Sequence, residues 1–100
     1  MLRHYILIRY KPETPESHIT AFCEQMSALL QEIPELLELE IGRDILHEER
    51  SWDLILMMSL ESVTTLRRYQ AHPAHQAVMR FNGPFVSDVA ALDFEKPFTA

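Results

Sequence analysis

The sequence predicts an α+β fold with the element order βαββαβ. Three observations lead there. Four short stretches carry apolar residues with strand character, and two longer stretches between them step their apolar residues by three or four. The whole chain has only 100 residues, of which 47% are hydrophobic and 24% charged. A chain of that length and composition is expected to fold around one core, as a single domain over residues 1–100, and lacks the low hydrophobicity of a disordered segment.

Residues 2–10, LRHYILIRY, mix β-branched and aromatic residues without a helical period and stop before Pro12, which gives the first strand. Thr14, Pro15 and Glu16 then form a helix start: a hydroxyl able to cap, a proline in the first turn where its missing N–H costs nothing, and an acid near the positive end of the helix dipole. Ile19, Phe22, Cys23, Met26, Leu29, Leu30 and Ile33 make one stripe, and Pro34 ends the helix. Leu37, Leu39 and Ile41 alternate with Glu38 and Glu40, the pattern of a second strand with one solvated face. The charged run RDILHEERS has no period and reads as a loop. The third strand, WDLILMMSL, puts Trp52, Leu54, Leu56, Met58 and Leu60 on one face and Ile55 and Met57 on the other, so both faces are expected to be covered. Ser62 caps a second helix through Val63, Leu66 and Tyr69; Pro73 breaks it, and a further helical segment runs from about Ala74 to Phe81. Gly83 and Pro84 punctuate, VSDVAALDFE supplies a fourth strand, and Pro97 ends regular structure.

That order, with right-handed crossovers, is the ferredoxin-like sandwich: a four-stranded antiparallel sheet with the helices on one face. Two amphipathic helices cover one face only. Yet the first and third strands carry bulky apolar groups at both parities, as Leu7 against Ile6 and Ile8, and Ile55 against Leu54 and Leu56, make plain. Left in water, the second face would exceed the ~300–600 Å² apolar patch usual for a soluble monomer. A second copy of the chain is the simplest cover, so a homodimer through the helix-free sheet face is expected. Ile8 is a candidate interface residue, to be tested by replacement with Glu.

Charge and hydropathy narrow the function. Fifteen Asp and Glu against nine Lys and Arg give a net charge of -6, which repels a phosphate backbone, so no nucleic-acid partner is expected. The longest apolar runs fall far short of a membrane span, and Arg3, His4 and Arg9 interrupt any secretory signal, so the expectation is a soluble cytoplasmic protein with no membrane partner. Cys23, the single cysteine, has no partner for an intramolecular disulfide and is expected to be reduced and packed in the first helix stripe.

The segment YQAHPAHQAV is the most unusual in the chain. Tyr69, His72 and His75 are spaced by three, which gathers them on one side of a continuous helix, although Pro73 disturbs that geometry. The group suits acid–base work: imidazole titrates near neutrality, and a phenol can donate to a developing enolate oxygen. A structural role is open as well, with His72 capping the helix that restarts at Pro73 and Tyr69 burying its ring. His4 shares a parity with Ile6, Ile8 and Tyr10 and is expected to face the space enclosed between subunits, unless it is a satisfied core histidine. Asp53 and Asp93 are acids inside apolar strands, where an unpaired carboxylate is costly, so each needs a partner or a solvated edge. Asp93 is a candidate to orient His75. There is no HExxH or CxxC pattern, glycine-rich phosphate loop or nucleotide fingerprint, so neither a metal nor a cofactor is expected.

The same segment, together with RHYILIRYK at the start, RSWDLILMMSLES in the middle and VSDVAALDFE at the end, resembles the stress-responsive dimeric α/β-barrel family over nearly the whole chain. The HPxH element is the most specific part. The resemblance implies two ferredoxin-like βαββαβ subunits packed sheet against sheet into a dimeric α/β barrel. Among plant polyketide-cyclising members, a tyrosine and a histidine matching Tyr69 and His75 promote an intramolecular aldol closure with loss of carbon dioxide. His4 matches another cavity histidine there, and Asp93 an acid that supports the catalytic histidine, while a further cavity histidine is replaced here by Asp53. Other members carry the same element without an established reaction. Three readings stay open. The first is a homodimeric barrel binding a small apolar carbonyl-bearing molecule, with Tyr69 and His75 catalytic and His4, Asp93, His72 and Asp53 supporting them or lining the cavity. The second is a non-catalytic stress-response or scaffold protein, and the third a cofactor-free monooxygenase of the antibiotic-biosynthesis type.

Overall fold

The computed structural model describes residues 1–95. Its first strand, β1 (Leu2–Tyr10), is central, paired antiparallel with β3 (Leu54–Leu60) on one side and β4 (Val86–Glu95) on the other, while β2 (Glu38–Arg43) closes the far edge of β3. The sheet order is therefore β2-β3-β1-β4, the ferredoxin-like arrangement. Both inner strands need apolar residues at both parities, because a central strand has two faces to cover. The helices α1 (Glu16–Glu32), α2 (Val63–Ala71) and α3 (Pro73–Asn82) follow, with a single 3-10 turn at Gly83–Phe85 leading into β4.

Even-numbered residues of β1 and β3 face the helices. Leu2, Ile8, Tyr10, Leu54, Leu56, Met58 and Leu60 are buried there with Phe22, Met26 and Leu29 of α1 and Leu66 and Tyr69 of α2. Antiparallel pairing lays three cross-strand rows on this face: Met58, His4 and Asp93; Leu56, Ile6 and Ala91; Leu54, Ile8 and Val89. The opposite face carries Tyr5, Leu7, Ile55, Met57, Leu92 and Phe94, with Tyr5 and Phe94 in edge-to-face contact at 5.4 Å. Ile8 is only 4% exposed and lies in the helix-side core, so the expectation that it faces an interface is corrected. Cys23 is partly buried against the core, and burial pushes its thiol pKa up.

Three local expectations also change. Thr14 does not cap α1; its hydroxyl donates to the Phe85 carbonyl at 3.4 Å, and Pro15 occupies the cap position with no side-chain bond. Leu37 is exposed, whereas Leu36 is buried, because the turn after α1 bonds Leu36 N–H to the Ile33 carbonyl and tucks the earlier leucine inward. Trp52 and Asp53 precede β3 instead of beginning it. Ser62 does cap α2, in a reciprocal box with Thr65. The expected stop at Pro97 lies outside the described residues. No helix of the described residues is long and apolar enough to cross a membrane.

Candidate functional site

The break between α2 and α3 builds the site. Pro73 has no N–H to give to the Tyr69 carbonyl, so His72 turns extended and the helix ends. Its own N–H bonds the Tyr69 carbonyl instead, and its Nδ1 accepts from Ala74 N–H at 3.0 Å. Ala74 is thereby withdrawn from Gln70, its partner in an unbroken helix, and the Gln70 carbonyl is left for side chains. His75 Nδ1–H donates to it at 3.0 Å and Gln76 Nε2 at 2.7 Å. A carbonyl only accepts, so this bond puts the His75 proton on Nδ1 and leaves Nε2 with a lone pair that no donor among the described residues engages. Burial lowers the His75 pKa from its ordinary 6.5; the Gln70 bond opposes this and the nearby His4 adds to it.

Tyr69 lies beside His75, ring centroids 4.6 Å apart. The tyrosine is 1% exposed, and among the described residues its hydroxyl donates only to the Met58 thioether, at 3.4 Å. Sulfur is a weak acceptor, so this donor is poorly satisfied. Burial raises the hydroxyl pKa well above its ordinary 10, and the phenol stays protonated.

Both residues line a cavity of about 610 Å³ between the helices and the sheet, within the range of small-molecule sites. The middle row of the sheet makes room for it, since Ala91 on β4 presents only a methyl group where Leu56 and Ile6 are bulky. Buried Ile8, Phe22, Met26 and Leu56 supply an apolar floor, and exposed Arg67, Met79 and Val89 lie at the rim. His4 and Asp93, cross-strand neighbours in the first row, also line it, and His4 Nδ1–H donates to the Asp93 carboxylate. Of the six residues singled out in the sequence, Tyr69, His75, His4 and Asp93 share this cavity.

The other two stand elsewhere. His72 is the cap described above and does not line the cavity. Asp53 is also outside it: its carboxylate accepts from Tyr10 N–H at 2.7 Å, closing the ladder where β1 outruns β3. Two expected geometries are corrected. His4 does share the face of Ile6 and Ile8, but that face looks at the protomer's own helices, not at a space between subunits. Asp93 partners His4, while the Gln70 carbonyl orients His75. Sequence reasoning missed Gln70, although a proline four positions after a helical carbonyl's predecessor signals stranded acceptors. It also missed Asn82, which follows His75 and Val78 at helical spacing and lines the same cavity. Among the described residues no group of three or more His, Cys, Asp or Glu side chains is placed to hold a metal ion.

Comparison with known proteins agrees with this frame. Residues 2–96 match the model of the stress-responsive A/B barrel domain. Olivetolic acid cyclase of Cannabis sativa is 29% identical over 76 residues, 74% of this chain and 75% of that protein. A dimeric ferredoxin-like protein of unknown function from Thermobifida fusca superposes with a TM-score of 0.83 at 27% identity, over 93% of this chain and 88% of that one. The hydroxynitrile lyase of Passiflora edulis shares the fold at 19% identity, with a TM-score of 0.84 over 98% of this chain and 96% of that one. With the domain match running almost end to end over a ferredoxin-like sheet whose helix side encloses the HPxH cavity, the chain belongs to the stress-responsive α/β-barrel family.

Proposed function

We propose that this protein is a homodimer that binds a small, largely apolar carbonyl compound in the Tyr69–His75 cavity and moves a proton at the carbon next to that carbonyl. The observation that carries the reading is the pairing of a buried, weakly satisfied phenol with an imidazole whose Nε2 lone pair is free, 4.6 Å apart in one cavity. His75 Nε2 takes the C–H proton, the C–H electron pair becomes the enolate double bond, and the carbonyl π pair moves onto oxygen, where the Tyr69 O–H donates to it. In a substrate with a second carbonyl, the enolate carbon adds to it, one C–C bond forms, and the new alkoxide recovers the proton from the His75 imidazolium. Every proton is accounted for by this chain's own groups.

The His4–Asp93 pair adds a polar contact at the cavity edge and keeps the first row of the sheet in register. The likeness to a protein named as a cyclase favours ring closure as the outcome. The homodimer is supported by the apolar helix-free face and by the dimeric state of the Thermobifida fusca neighbour. A cytoplasmic setting remains part of the proposal, supported by the lone cysteine. A purely packing role accounts for His72 but leaves the Tyr69 hydroxyl without a good acceptor.

The test is a thermal-shift screen of enolisable ketones and diketones followed by turnover assays of those that stabilise the protein. His75→Ala is expected to lower turnover by about 10²-fold or more, the scale of a lost acid–base group. Full activity in that variant overturns the mechanism, and oxygen uptake with quinols in place of ketone turnover favours monooxygenase chemistry.

A further inference from the structure

Asn82 closes the other end of the cavity. It ends α3 and is only 4% exposed, yet it lines the same space as Tyr69 and His75. Its Oδ1 is engaged twice, by the Tyr10 hydroxyl at 2.7 Å and by His18 Nε2–H at 3.0 Å. Both donors are themselves fixed. The His18 ring stacks on Phe85 at 3.9 Å and on Phe81 at 4.5 Å, and Tyr10 meets His18 and Phe22 edge-on. With its oxygen accepting both bonds, the amide turns its NH₂ away from Tyr10 and His18. Among the described residues no acceptor bonds that NH₂, it is not sealed off, and Asn82 itself lines the cavity.

An unpaired donor in a site otherwise floored by Ile6, Ile8, Phe22 and Met26 is costly unless a ligand satisfies it. We propose that Asn82 Nδ2 is the second hydrogen-bond donor of the binding site and that it selects elongated ligands carrying an uncharged oxygen acceptor at the end remote from the reacting carbonyl. This rests on the assignment of Tyr69 and His75 to a carbonyl. Two features define the ligand class. The cavity follows β1 from His4 to Ile8, four residues or about 13 Å of extended strand, so the two polar ends are separated by an apolar body. Arg67 is the lining cation among the described residues, and it belongs to α2, where it donates to Gln70, so the Asn82 end offers a neutral donor and not a counter-charge.

The test uses methyl ketones of about eight to twelve carbons and bis(methyl ketones) of the same carbon count, which differ only in the second carbonyl. The wild-type protein is expected to bind the best-fitting diketone roughly fivefold to tenfold more tightly than its monoketone, the worth of one buried hydrogen bond. Asn82→Asp keeps an oxygen for Tyr10 and His18 but turns an acceptor into the cavity. It is expected to erase the diketone preference, bringing the ratio of diketone to monoketone affinity to about one or below. In the wild type, independently of whether that variant folds, the Asn82 side-chain amide resonance is expected to shift with the diketone and not with the monoketone. Equal affinity for both series, with no amide shift, overturns the role of Asn82 while monoketone binding about fivefold weaker in Tyr69→Phe still upholds the carbonyl site. Binding of neither series, or binding indifferent to Tyr69→Phe, overturns both.

Discussion

Replacing Tyr69 by Phe separates a structural hydroxyl from a functional one. The ring is buried among core residues, so its packing is retained, and the only bond lost among the described residues is the one to the Met58 thioether at 3.4 Å. A typical hydrogen bond contributes about 0.5–1.5 kcal/mol net, and a sulfur acceptor lies below that range. Removing the hydroxyl also removes a buried polar group whose sulfur acceptor compensates its desolvation only weakly. The two effects nearly cancel, so the expected change in stability is within about 0.5 kcal/mol. At roughly 4–8 °C per kcal/mol for a domain of this size, Tm moves by no more than about 4 °C. Affinity for a ketone falls by about fivefold, because the ligand carbonyl loses its donor in a largely apolar cavity. Urea melts at fixed protein concentration give the first quantity and calorimetric titration the second. A loss of about 2 kcal/mol in stability with unchanged ketone affinity refutes the reasoning and makes the hydroxyl a packing group.

Other outcomes follow from the same geometry. The His75 pKa in the folded protein lies below its ordinary 6.5, so on acidification the unfolded chain takes up that proton first. The stabilisation from burying neutral His75 is therefore fully present above pH 6.5 and declines as pH falls toward the lowered native pKa; His75→Gln is expected to flatten this part of the urea-melt pH profile. His72→Ala removes the α3 cap and is expected to cost about 0.5–2 kcal/mol while leaving ketone affinity intact; a loss of affinity without a loss of stability contradicts the capping assignment. Leu92, 63% exposed in the protomer, lies on the helix-free face. Leu92→Glu is expected to give a folded monomer in sedimentation experiments, whereas Ile8→Glu is expected to unfold the chain; a Leu92→Glu dimer as tight as the wild type contradicts the interface.

Element boundaries were most legible where local chemistry acts alone. The ends of β1 and β4 follow from β-branched runs bounded by Pro12 and by Gly83–Pro84, and α2 from the Ser62 hydroxyl. The facing of β1 was not legible, because a central strand is apolar on both sides and parity alone does not say which side the helices take. That is why Ile8 and His4 were assigned to the wrong enclosure. The His4–Asp93 pair spans 89 positions and depends on strand register, which no local pattern carries. The Asp53 contact to Tyr10 N–H likewise depends on β1 extending past the last paired residue of β3. At the HPxH element the proline announced the helix break, and capping chemistry announced His72. The stranded Gln70 carbonyl needed one more step: following each backbone acceptor past the break to its next donor.

The central claim is that His75, through its free Nε2, removes a proton beside a bound carbonyl. Exchange of that carbon-bound hydrogen for deuterium, followed by NMR in D₂O, reads the step without requiring the natural substrate. For a ketone shown to bind, the wild-type protein is expected to accelerate exchange over buffer, His72→Ala to match the wild type, and His75→Gln to lose about 10²-fold or more of the acceleration. Exchange no faster than buffer with the bound ketone, or equal acceleration by wild type and His75→Gln, would contradict it.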